Sequence, residues 1–82
     1  MDWSNRVAVV TGGASGIGQA TAREFAQSGV RVAIFDIQTD AAQQVREALT
    51  SSGGVVDTFD VDVANYDAVE RAVATVAERW TE

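Results

Sequence analysis

Thr11-Gly12-Gly13-Ala14-Ser15-Gly16-Ile17-Gly18 decides how this chain reads. It follows Arg6-Val7-Ala8-Val9-Val10, a short β-branched apolar run of the kind buried on both faces of a sheet. It opens Ile17 to Ser28, where Ile17, Ala20, Thr21 and Phe25 fall at helical spacing and Gly29 follows as a stop. A glycine-rich turn between a buried strand and a helix suits an anion. The glycines at 12, 16 and 18 allow a tight turn, a close backbone approach and close helix packing, while the helix N-terminus offers free N–H groups. Ser15 adds a hydroxyl donor.

Outward from this loop the same alternation repeats. Val30-Arg31-Val32-Ala33-Ile34-Phe35 predicts a second buried strand, and Ala41, Ala42, Val45, Ala48 and Leu49 predict a second helix. Thr39 or Asp40 is placed to cap that helix, and Gly53-Gly54 to end it. Val55 to Val61 reads as a weaker third strand, with Val55, Phe59 and Val61 on one side and Asp57 breaking the other half of the pattern. Asn65 then caps a third helix whose stripe is Val69, Ala72, Val73, Val76, Ala77 and Trp80. Trp3 is expected to cover an edge or lie exposed. Strand and helix in alternation, joined by short connections, require a parallel sheet with right-handed crossovers. The expected fold is α/β: half of a Rossmann-type doubly wound fold over residues 1–82, βαβαβα, with a three-stranded parallel sheet in the order 3-2-1.

Three phosphate-binding patterns can be tested against the loop. A P-loop requires Gly-x4-Gly-Lys-Ser/Thr; Gly13 and Gly18 fit, but Gln19 and Ala20 follow. A Gly-x-Gly-x-x-Gly run begun at Gly16 meets Thr21 in place of its last glycine. Thr-Gly-x3-Gly-x-Gly matches in full. Asp36 closes the second strand, where a carboxylate accepts from an adenosine ribose and repels a 2′-phosphate; its alternative role is to start the next turn. Positions 14 and 37 hold Ala14 and Ile37 rather than an arginine that would receive that phosphate, so the expected cofactor is NAD. Asp62 and Val63 end the third strand, suited to an adenine amino group and ring respectively, although Asp62 serves the turn equally well.

Composition removes much else. The chain has no cysteine and no histidine, and all 6 of its basic residues are arginine. No metal site and no catalytic group is expected: thiolate ligands, imidazole bases and lysine chemistry are all excluded. A net charge of -6 repels nucleic acid and anionic membrane. Apolar runs are far shorter than the roughly 18 residues of a spanning helix. With an acid at Asp2 and no signal-peptide pattern, a cytoplasmic location is expected.

Taken together, Thr11-Gly12-x3-Gly16-x-Gly18, Asp36 and Asp62-Val63-Ala64-Asn65 resemble the short-chain dehydrogenases/reductases, over a length matching about the first third of a typical member. The resemblance implies that Gly12, Ser15, Gly16, Ile17 and Gly18 line a dinucleotide site. It also implies that Asp36 selects NAD, that Ile37 lies beside the adenine, and that Asp62 and Val63 hold it. The family's serine, Tyr-x3-Lys pair and Asn-Ala-Gly segment have no counterpart: Tyr66 is followed four places on by Glu70, and is expected on the surface. The expected function is an NAD(H)-binding module of an oxidoreductase, inactive alone. A different expectation is a designed or excised structural half-fold. In it, the open edge of strand one pairs two copies antiparallel into a homodimer with a six-stranded sheet. An S-adenosylmethionine half-fold fits less well, since Thr11-Gly12-Gly13 lacks an acid before its first glycine.

Overall fold

The computed structural model describes residues 6–13 and 15–80; Trp3 and Ala14 lie outside them. Six elements follow one another: β1 (Val7–Thr11), α1 (Gly16–Gln27), β2 (Arg31–Asp36), α2 (Thr39–Ser51), β3 (Val56–Asp60) and α3 (Tyr66–Trp80). The strands form one parallel sheet in the order β1-β2-β3, the expected 3-2-1 arrangement. Register runs from Val7 opposite Arg31 to Asp36 opposite Asp60.

The two faces of the sheet are covered differently. Val10, Val32, Ile34 and Val56 point to the face covered by α1 and α2, where Ala22, Ala42, Val45 and Leu49 complete one core. Ala33, Phe35 and Val61 point the other way and pack on Ala72 and Val76 of α3, with Phe59 and Trp80 at the margin. Both sides of β2 are therefore sealed, and Phe35, Ile34 and Val32 are the largest fully buried side chains. Burying a side chain of this size contributes about 2 kcal/mol, so β2 anchors the fold.

Four local expectations need correction. In α1 the inward face is Gly18, Ala22 and the half-buried Ala26, whereas Ile17, Ala20, Thr21 and Phe25 are exposed. Small side chains bring this helix close to the sheet, and bulk alone was a misleading guide to its buried side. The stripe of α3 is narrower than its spacing implied, because Val73 and Ala77 are exposed. Helix α2 starts after Gln38 with no side-chain cap, and Thr39 and Asp40 lie in its first turn. Asp57 does not break the opposite pattern. By strand alternation it shares the face of Phe59 and Val61, at the outer edge of β3.

At that edge Arg79 of α3 is ion-paired to Asp57 Oδ2, and Arg46 of α2 lies 3.8 Å from Oδ1. Arg46 also donates to the carbonyl of Val56, and Arg79 sits 5.3 Å from the Phe59 ring centroid. The charge is stabilised because arginines from both faces of the sheet converge on it. Asn65 caps α3 as expected, its Oδ1 accepting from the Ala68 amide at 3.1 Å. No helix among the described residues is long and apolar enough to cross a membrane.

Candidate functional site: the glycine loop and the carboxyl edge of the sheet

The loop after β1 is tied to the end of β2, since the Gly12 amide donates to the Phe35 carbonyl at 2.9 Å. Its three motif glycines then serve three separate ends. Gly12 turns the chain at φ +66°, in the left-handed region where a side chain is strained. Gly18 lies against the loop itself, and a Cβ there would collide with the carbonyl oxygen of Gly12. A Cβ at Gly16 would meet nothing within 4 Å, so the chain leaves open space at that point. Gly13 adds a constraint that the motif does not announce: a Cβ there would stand 2.5 Å from the Ile34 side chain.

Ser15 is the N-cap of α1. Its hydroxyl donates to the Gly12 carbonyl at 2.8 Å and accepts from the Gly18 amide at 3.2 Å. Gln19 donates to the Ser15 carbonyl at 2.7 Å. The Gln19 bond is the first within the helix; of the four preceding amides, which have no intrahelical partner, Gly18 is satisfied by the Ser15 hydroxyl and Ser15 by the Gly12 carbonyl at 3.0 Å. The amides of Gly16 and Ile17 have no acceptor among the described residues. They stand beside the open space at Gly16, at the positive end of the helix dipole. That combination fits an anion such as a pyrophosphate: donors are present, the space is clear, and the charge has the right sign. The Ile17 side chain is 85% exposed.

Next to the loop, an open groove of about 120 Å³ crosses the carboxyl ends of the strands, lined by Gly12, Phe35, Asp36, Ile37, Val61, Asp62 and Val63. Five expected site residues (Gly12, Asp36, Ile37, Asp62 and Val63) are thus brought together, and Ser15, Gly16, Ile17 and Gly18 form the adjoining loop and helix start. Phe35 and Val61 were not expected at the site; they belong to the second core and line the groove. Ile37 and Val63 are exposed apolar side chains on the same groove, a setting suited to a flat aromatic base. A larger hollow, of about 190 Å³, lies between α1 and α2, lined by residues of their carboxyl-terminal halves such as Arg23, Ala26, Ala48 and Leu49, and includes none of the glycine-loop residues.

The two groove carboxylates are held by local turns. Asp36 Oδ1 accepts from the Gln38 amide at 2.9 Å, and Asp62 Oδ1 accepts from the Ala64 amide at 3.0 Å. Asp62 also accepts through its carbonyl from Asn65, so its turn role is realised while it lines the groove. Tyr66 is exposed as expected, with its hydroxyl 3.4 Å from Glu70 Oε2. The described residues contain no cluster of metal-ligating side chains.

A strand–glycine loop–helix unit with a groove at the carboxyl edge of a parallel sheet defines a dinucleotide-binding class of fold. Comparison with known proteins agrees: the short chain dehydrogenase family matches residues 6–82, and the chain belongs to that family. It is 46% identical over 68 residues to secoisolariciresinol dehydrogenase of Forsythia intermedia, a match covering 83% of this chain and 24% of that protein. A short chain dehydrogenase/reductase from Burkholderia phymatum, solved in complex with NAD, superposes with a TM-score of 0.92 at 27% identity, covering 100% of this chain and 29% of that one. A metagenomic short-chain oxidoreductase in complex with NADP superposes with a TM-score of 0.91 at 29% identity, covering 98% and 36%. The chain spans about a quarter to a third of the length of the curated relatives it matches.

Proposed function

We propose that residues 1–82 are the NAD(H)-binding half-Rossmann domain of an oxidoreductase that exchanges hydride between nicotinamide and an alcohol or ketone. The observation that carries this reading is the open space at Gly16 beside two amides that have no acceptor among the described residues, next to the groove that Gly12 and Asp36 line. In this reading Gly12, Ser15, Gly16, Ile17 and Gly18 line the pyrophosphate site, and the N–H groups of Gly16 and Ile17 hold the anion together with the helix dipole. Asp36 accepts from the adenosine ribose, while Ile37 and Val63 enclose the adenine and Asp62 accepts from its amino group. The nicotinamide supplies the hydride chemistry when bound. The residues of this segment bind and orient it and contribute no group that moves a proton, so the segment by itself is inactive.

The choice of NAD over NADP rests on the Asp36 carboxylate, since neighbours of this fold are known with either cofactor. Titration calorimetry with NADH, run beside NADPH, tests it. Asp36→Ala should weaken NADH binding about tenfold and narrow the preference over NADPH, the loss of one charged hydrogen bond. A preference that stays the same would remove Asp36 from the site.

A second copy paired along the outer edge of β1 is compatible with this reading. The observation in its favour is that Val7 and Val9 are 40% and 43% exposed on the face that α3 leaves uncovered.

A further inference from the structure

We infer that Asp60 is a second determinant of cofactor choice, repelling a 2′-phosphate alongside Asp36. The inference rests on the dinucleotide reading of the groove and adds a residue that does not line it. Asp60 is the last residue of β3 and stands directly opposite Asp36 in the parallel register. Neighbouring strands lie about 4.8 Å apart, and paired residues point to the same face, so the two carboxylates project side by side. Their face is the one covered by α2, whose first turn carries a further acid, Asp40. Asp60 is exposed.

Among the described residues Asp60 makes no ion pair. The chain has no lysine, and no arginine occurs between Arg31 and Arg46 or between Arg46 and Arg71. Three arginines are engaged elsewhere: Arg46 and Arg79 on Asp57, and Arg31 on the Trp80 carbonyl at 3.2 Å. Those contacts lie toward the amino ends of β2 and β3, away from Asp36 and Asp60. A 2′-phosphate added to a ribose at Asp36 brings about two negative charges. It would sit within roughly one to two strand spacings of Asp60. The pyrophosphate, held at the loop after β1, lies a further strand away and is repelled less. Asp60 therefore acts on the difference between the two cofactors more than on their common part.

The test is titration calorimetry of the purified chain with NADH and with NADPH, using wild type, Asp60→Asn and Asp60→Glu, each shown to be folded by circular dichroism. At low ionic strength Asp60→Asn should favour NADPH relative to NADH about fivefold over wild type, while Asp60→Glu keeps the wild-type ratio. In about 0.5 M salt the fivefold change should shrink below about twofold, because the interaction is Coulombic and exposed. An unchanged ratio in Asp60→Asn, with Asp36→Ala still shifting it, overturns the role of Asp60 and leaves the groove reading standing. A folded wild type that binds neither nucleotide overturns the groove reading and this inference with it.

Discussion

The two edges of the sheet are finished in opposite ways. At β3, Asp57 is bracketed by Arg46 from one face and Arg79 from the other, and Arg79 also covers Phe59. At β1, Val7 and Val9 leave apolar surface open, and no strand pairs with the outer side of β1 among the described residues. An inward charge guarded by arginines discourages the addition of another strand, whereas a flat run of valines invites it. The comparison teaches that the β3 edge is guarded by charge, whereas the β1 edge carries exposed apolar side chains. The glycine loop leaves from the β1 side.

The same contrast can be broken at three strengths. The flank of β1 depends on α1 lying against the loop at Gly18, so Gly18→Ala should act most strongly. Alanine favours a helix, yet here its Cβ meets the Gly12 carbonyl, and the clash should cost about 3 kcal/mol in urea unfolding and abolish NADH binding. Stability equal to or above wild type would show that the loop yields. Asp57→Ala should cost about 1 kcal/mol, since the carboxylate is partly exposed and its ion pairs are screened. That loss should fall in 1 M salt, and a loss independent of salt would assign it to packing. Val9→Thr should change stability by less than about 0.5 kcal/mol, because the residue is already half in water. If two copies pair along β1, the same substitution lowers the mass measured by light scattering; an unchanged monomer mass for the wild type rejects that pairing.

Much of this was legible in the sequence because the informative signals are local. Buried strands declared themselves through β-branched runs, and the order of the sheet followed from alternation with short connections. Asn65 and Gly29 marked helix ends through chemistry that acts within a few residues. The buried face of α1 was hidden because Gly18, Ala22 and Ala26 reveal their role only against a neighbouring backbone. The neighbours of Asp57 were hidden for a related reason. Arg46 and Arg79 lie 11 and 22 residues away in the chain, and only the packing of α2 and α3 on opposite faces brings them to one carboxylate. Asp36 and Asp60 became a pair through register, which no spacing in the sequence states.

The hydroxyl of Ser15 carries a kinetic consequence. By donating to Gly12 and accepting from Gly18, it fastens the loop to the first turn of α1 without help from any ligand. On the reading proposed above, an anion arriving at Gly16 would meet a loop already fastened, so its capture need not wait for the chain to rearrange, and little ordering entropy is lost on binding. Association at this loop is then governed by encounter, and differences in residence time between ligands arise from how quickly each one leaves.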